Sequence, residues 1–474
     1  RRRRSGGDFF LANNRVVWWA AGISFFATGA SSISFMALPA KTFQTDWLVF
    51  GSGPAQSLAG LVVGLFFVGL LRRLRLDTIF DYLERRFSRP VRLLGAGLAV
   101  LMKVCGRMSV VMLLPALALA TVTGLNVYLS ILLMGVVTTI YAIEGGFEAV
   151  VWTDVIQSTV MLGGVALAVY SIVSGVPGGF GEVIAAGNDA GKFHMVSWSL
   201  DATTPTVWVF VGMFLAHIFS QVSDQPLMQR MLATSDVKQA QRTVVMGNLI
   251  GLASSVVFFF VGSALWVFYQ AHPERLAEGV PNDAIFPYFI ANELPVGIVG
   301  LIVAALFSAA MGALSSAINS TATIVVTDFQ MILSPQATEA SKVRVAKLST
   351  FACGVLGTAM AMYLAYKNVP SLWDEFLKLI ALIGGGFPGV FALGLLTKRA
   401  TSTGVIIGAV GSIAVTWWVQ IFTNLNVFIH GFVAVASCIA IGYIASLLVG
   451  TRSESPAGAK LTFWDAQTSR RYER

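Results

Sequence analysis

The chain has 474 residues, of which 56% are hydrophobic and only 12% charged, with a formal net charge of +8. A soluble globular protein carries roughly 25% charged residues, so a soluble enzyme, a disulfide-built secreted scaffold and a disordered chain are all excluded. The composition is that of an all-α polytopic membrane protein, because in lipid a backbone must satisfy its own hydrogen bonds.

Twelve apolar segments follow in chain order, at 16–40, 48–71, 93–121, 125–143, 151–175, 206–229, 244–270, 295–327, 348–366, 374–397, 402–422 and 426–449. A polar N-terminal segment (1–15) precedes them and a polar tail (450–474) follows. Cytoplasmic loops collect Lys and Arg. With the N-terminus cytoplasmic, the inside loops and tails hold 25 of the 32 Lys and Arg and the outside loops hold 4, while Lys103, Arg107 and Lys378 lie within segments. That split predicts two cytoplasmic ends and makes the positive charge a topology signal, leaving no nucleic-acid role to explain it. Arg1–Arg4 opens in mid-loop with no initiating Met, so a further helix is expected before the first segment.

Cys105, Cys353 and Cys438 all lie in apolar segments without CxxC spacing, and the four histidines are scattered. With no zinc motif, phosphate loop or nucleophile elbow, an enzyme reading has no residues to stand on.

The informative positions are those where a segment breaks its own rule. The first contains Thr28-Gly29-Ala30-Ser31-Ser32-Ile33-Ser34, and the sixth contains Ser220-Gln221-Val222-Ser223-Asp224-Gln225-Pro226. Gly weakens a helix and Pro cannot donate to it. Each alone is an ordinary kink. Two of them five segments apart predict an inverted repeat, 16–175 against 206–397, with a binding site between broken helices at the bilayer midplane. Segments 402–449 then read as peripheral, and the outside stretch 271–294 has room for a short helix or lid.

Four sets of polar residues lie at membrane depth, where an ionisable group is a functional candidate by default. Asp154, near the start of the fifth segment, either caps a helix or serves a cation. Arg107 falls mid-way along the third and needs an anion, from the protein or from a substrate. Lys103, one turn nearer the cytoplasm, is expected to snorkel outward. In the eighth segment Ala309, Gly312, Ala313, Ser316 and Ser320 share one small face, which either packs closely or offers the hydroxyls of Ser315 and Ser316 to an ion. Ser31, Ser32 and Ser34 flank the first break.

At these residues the chain resembles the sodium/solute symporter family along essentially its whole length. The resemblance is carried by Glu144-Gly145-Gly146-Phe147-Glu148-Ala149 with Trp152-Thr153-Asp154, by Asp224-Gln225-Pro226-Leu227-Met228-Gln229-Arg230, and by Leu314-Ser315-Ser316-Ala317-Ile318-Asn319-Ser320. Within the family, Trp19-Ala20-Ala21-Gly22, Ser31-Ser32-Ile33-Ser34-Phe35-Met36 and Pro39-Ala40-Lys41 are most similar to bacterial sialic acid symporters. The resemblance implies a five-plus-five inverted-repeat core with two additional C-terminal helices, alternating access, and Na+ as the coupling ion.

For the ion, it implies a first site on the carbonyls of Ala27, Ala30 and Ala309. Gly312 and Ala313 stand where two hydroxyls normally complete that site. A second cation site would use Asp154, Ser315 and Ser316. For the solute, Arg107, Ser31 and Ser34 match positions that hold a substrate carboxylate. Gly29 replaces a family threonine, and Gly53 replaces a glutamine that helps bind sialic acid, with Gln56 one turn further on. The expectation is cation-coupled symport of a small anionic solute, a sialic acid or other sugar acid, across the cell membrane. The alternatives are a proton-coupled or uncoupled carrier of a neutral sugar on the same fold, and a non-transporting membrane sensor.

Overall fold

The computed structural model describes residues 15–449, apart from 75, 77, 145, 146, 368 and 370, together with 461–464. Most of the N-terminal segment and of the tail therefore lies outside the described residues, as do Gly145 and Gly146 of the first motif.

All regular structure among the described residues is helical. The helices are α1 (Trp18–Gly29), α2 (Ile33–Gln44), α3 (Trp47–Arg73), α4 (Ile79–Arg86), α5 (Arg89–Thr123), α6 (Val127–Glu144), α7 (Phe147–Ser174), α8 (Gly179–Asp189) and α9 (Val207–Ser223). They continue as α10 (Gln225–Leu232), α11 (Val237–Ala271), α12 (Ile285–Glu293), α13 (Val296–Leu333), α14 (Glu339–Lys367), α15 (Leu372–Gly384), α16 (Gly386–Leu396), α17 (Ser402–Phe422) and α18 (Val427–Val449). Eight of the twelve apolar segments correspond to one membrane-length helix each and three to a bent pair, while the fourth forms the shorter apolar helix α6. The stretch 271–294 holds α12, and Asp283 ahead of it accepts the Leu372 N–H at 2.9 Å.

Three spans are bent: α1 to α2 by 60°, α9 to α10 by 61° and α15 to α16 by 50°. At the first bend Ala30 is extended and its N–H closes on Phe26 O. At the second Asp224 is extended, and Pro226 sits in the first turn of α10, where a helix needs no donor. Both lie where the sequence predicts them. The third falls in Gly384-Gly385-Gly386 and was not anticipated. There a Cβ on Gly386 would lie 2.1 Å from Ser412 Oγ and 3.1 Å from Ala409 O, so the triplet serves a close approach of α17 as well as a bend.

The backbone also widens to π-helical turns at Ile33–Ala37, Val63–Phe67, Met102–Met108, Val325–Gln330 and Ile380–Gly384. Such turns lose regular pairing and are common at functional sites. The first, third and fifth border the same cavity; the other two do not.

Packing between helices relies on small residues, since lipid supplies no hydrophobic drive between them. Ala309, Gly312, Ala313, Ser316 and Ser320 are all buried on α13. A Cβ on Gly164 of α7 would lie 2.3 Å from Ala305 Cβ of α13. A Cβ on Gly262 of α11 would lie 2.2 Å from Pro39 O and 2.9 Å from Phe43 N of α2, which is backbone that cannot rotate away. Gly262→Ala is therefore expected to lower stability by about 1–3 kcal/mol through overpacking. Gly300→Ala, with nothing within 4 Å, should leave the melting temperature unchanged or slightly raised. Thermal unfolding of the two variants in detergent checks both.

Candidate solute and cation sites

The three bends and three of the π-helical turns surround a cavity of about 290 Å³ lined by Gly29, Ser31, Ser34, Gln56, Lys103 and Arg107, with His217, Asp224 and Trp373 among the other walls. A second cavity of about 170 Å³ adjoins it and shares Gly29, Ser34, Gln56, His217, Gln221 and Trp373. Of the six residues expected to bind solute, five line the larger cavity and Gly53 lines the smaller. A Cβ on Gly53 would lie 2.9 Å from Ser255 Oγ, so a longer side chain there would have to displace Ser255. Gln56 reaches both cavities and its carbonyl accepts Gln221 Nε2 at 3.1 Å.

The three cations in this region are handled differently. Lys103 does not snorkel, contrary to expectation. It is 3% exposed and its Nζ donates to Asp224 Oδ1 at 2.8 Å, because the bend at Asp224 turns that carboxylate toward α5. Arg230 is 1% exposed and pairs with Asp154 at 3.0 Å. Arg107 has no carboxylate within ion-pair distance among the described residues. It instead donates to the carbonyls of Thr28 and Gly29, two of the carbonyls that the end of α1 leaves without intrahelical donors. Its Nε is buried without a hydrogen-bond partner.

Asp154 is not a helix cap. It lies two turns into α7, with no exposure. Its Oδ2 accepts Ser24 Oγ at 2.5 Å and an Arg230 nitrogen at 3.0 Å. Arg230 also donates to Ser316 Oγ at 2.7 Å and to Ser24 Oγ at 2.9 Å. Asp154 and Ser316 are thus brought together through a guanidinium. Ser315 Oγ turns back to donate to Gly312 O at 3.1 Å. Ala27 and Ala30 sit in the last turn and cap of α1, and Ala309 lies one turn before Gly312 on α13; all three are buried.

Sequence reasoning missed Arg230 and Ser24. The hydropathy boundary of the sixth segment falls at 229, which places Arg230 in a cytoplasmic loop. The available signal was that Arg230 closes the quoted motif Asp224–Arg230. The whole of the short helix α10 is buried, so its arginine could not face water.

The model of the sodium:solute symporter family matches residues 9–412. The chain is 35% identical over 452 residues to the sodium/sialic acid symporter NanT of Aliivibrio fischeri, covering 94% of this chain and 88% of that one. It is 34% identical to the sodium/sialic acid symporter SiaT of Proteus mirabilis, covering 99% and 94%. A substrate-bound, outward-open structure of a Na+-coupled sialic acid symporter with a novel Na+ site superposes with a TM-score of 0.87, at 33% identity over 94% of this chain and 93% of that one. The nucleobase-cation symporter Mhp1 shares the fold, with a TM-score of 0.62 at 16% identity over 97% and 99% of the two chains. With its family model matched over most of its length and two such relatives covering nearly all of it, the chain belongs to the sodium:solute symporter family.

Proposed function

We propose that the protein couples inward movement of Na+ to uptake of a small organic anion, of the sialic acid or sugar-acid class, by alternating access. The observation that carries this reading is Arg107. Lys103 and Arg230 each have a carboxylate from the protein, whereas Arg107 faces the cavity with only carbonyls. A half-buried cation whose direct partners are only carbonyls is under-compensated, and a solute carboxylate supplies the missing charge. Ser31 and Ser34 beside it add hydroxyls, and the relatives that carry sialic acid support the solute class.

In this reading segments 16–175 and 206–397 are the two repeats, 402–449 are peripheral, and both ends of the chain are cytoplasmic in the cell membrane. A cation can couple to solute only by binding the two access states differently. The Asp154 cluster is placed for that, since it joins α1, α7, α10 and α13 through Ser24, Asp154, Arg230 and Ser316.

Reconstituted full-length protein should take up sialic acid or another sugar acid, but not glucose, under an imposed Na+ gradient. Uptake driven by a proton gradient alone, or by neither gradient, would instead favour the proton-coupled or uncoupled alternative, and uptake of glucose would favour a neutral sugar as cargo. Arg107→Gln should raise the KM for the anion by roughly 10- to 100-fold, the cost of about 1.5–3 kcal/mol for a lost charged hydrogen bond.

Asp154→Asn and Arg230→Met should each lower the melting temperature, because each leaves a buried partner unpaired. The double variant should recover most of that stability, with a coupling of about 1–3 kcal/mol, and still lack Na+-dependent uptake. Recovery of Na+-dependent uptake in the double variant would assign the pair to structure alone.

A further inference from the structure

The tail that follows α18 is mostly polar, but it carries one apolar island, Leu461-Thr462-Phe463-Trp464. That island is docked on the bundle. Thr462 has no exposure, and Leu461 and Phe463 pack against the hydrophobic cluster that contains Phe67, Leu83 and Phe391. Three contacts tie it to three different helices. The Phe463 ring lies 5.4 Å from that of Phe67 on α3. The Leu461 carbonyl accepts the Tyr82 hydroxyl of α4 at 3.3 Å. Trp464 Nε1 donates at 2.9 Å to the carbonyl of Leu396, the last residue of α16, one of those that a helix C-terminus leaves without an intrahelical donor.

The same helices hold the second halves of two bent spans. Arg72, near the end of α3, donates to the carbonyls of Met231 and Leu232 at 3.1 and 2.9 Å, which fastens the C-terminus of α10 to α3. Arg86, at the end of α4, donates to those of Gly394 and Thr397 at 3.2 and 2.6 Å, which fastens the C-terminus of α16 to α4. The two units meet where the Ile79 N–H donates to Gln225 Oε1 at 2.9 Å. The tail island adds a second crossing, with Phe463 on the first unit and Trp464 on the other.

We infer that Leu461–Trp464 is a latch on the cytoplasmic face, which straps α3 and α10 to α4 and α16 and holds the protein back from opening inward. The inference rests on the alternating-access reading above and adds a control that the reading does not contain. A contact made only while the seam is closed shifts the population toward the closed state. The segment is short and Trp464 is 51% exposed, so releasing it undoes few contacts and disturbs no span. The competing account is an anchor in the membrane interface, where tryptophan is common. In this chain the indole N–H is instead spent on a helix end and Thr462 is sealed against protein.

The test uses Thr327→Cys as a reporter in the full chain. Thr327 is buried, and its carbonyl accepts Arg92 Nη2 at 3.5 Å, at the end that the charge count assigns to the cytoplasm. A thiol there is reached from the inside only when that end opens. Labelling by a membrane-impermeant maleimide, above that of the parent protein, is followed without solute in inside-out vesicles and in detergent. Phe463→Ala combined with Trp464→Ala should label roughly three- to tenfold faster, the weight of one aromatic contact and one hydrogen bond. Trp464→Phe, which keeps a ring and loses the donor, should fall between. Gly262→Ala, which strains α11 against α2 without touching the tail, should label at the wild-type rate.

Unchanged labelling in the double variant overturns the latch and leaves alternating-access transport standing. An equal rise in Gly262→Ala marks general loosening of the bundle, and a rise seen in vesicles but not in detergent assigns the island to the lipid surface; either result overturns the latch. A wild-type protein that takes up neither sugar acid nor sugar under any gradient removes the transport reading and the latch with it.

Discussion

The structure depends on one carboxylate placed where water cannot reach it. An isolated charge at zero exposure costs several kcal/mol even after relaxation, so Asp154 is tenable only because Arg230 and Ser24 meet its Oδ2. That requirement reaches outward. Arg230 must come from a helix that enters the bundle, which obliges the sixth span to break at Asp224 so that α10 can turn inward. Ser24 must come from α1, above its own break. The two bent spans are consequently pinned to the straight pair α7 and α13 through a single side chain. A rearrangement of either bend that parts these helices breaks a hydrogen bond to Asp154 or Arg230, which on the reading proposed above gives an ion there a means of coupling.

The same logic explains why the cavity is cationic in effect though nearly neutral in count. Asp224 extends at its bend and captures Lys103; Asp154 captures Arg230. With both acids spent, Arg107 is left on the carbonyls of Thr28 and Gly29, which the break in α1 had freed. The break therefore does two things with one backbone distortion. It opens space beside Ser31 and Ser34, and it supplies acceptors that tolerate an arginine without neutralising it. Trp373 and Phe376 of α15 add aromatic surface to the same cavity, so it offers both charge and apolar contact.

Much of this was legible in the chain. Long apolar runs survive any detail of packing, so the eight membrane-length helices and three bent pairs were readable, and Gly and Pro with polar neighbours located the first two breaks. The third escaped because Gly384-Gly385-Gly386 has no polar neighbour, and glycine in a membrane helix is as often a packing residue as a hinge. What sequence order cannot show is which charge meets which. Lys103 was read as snorkelling because its partner lies 121 residues away. Arg230 was placed in a loop because a hydropathy boundary ends where charge begins, which is the wrong rule for a short helix buried on all sides.

Two ion pairs toward opposite ends of the bundle differ in burial and therefore in strength. At the end that the charge count assigns to the outside, Lys41 of α2 meets Asp374 of α15 at 3.0 Å, with the two side chains 17% and 30% exposed. A pair that wet is worth about 1 kcal/mol or less. At the opposite end Arg92 donates to Asp328 at 2.7 Å, and Thr78 donates to the same Asp328 oxygen. Asp328 has no exposure and Arg92 only 10%, and Glu84 adds a further contact at 2.8 Å. Removing a partner from such a buried network costs about 3–5 kcal/mol. On the orientation proposed above, parting the elements at the outer end would break only the exposed Lys41–Asp374 pair, whereas parting them at the inner end would break the buried Arg92–Asp328 network, so the larger share of any closure cost lies in that network.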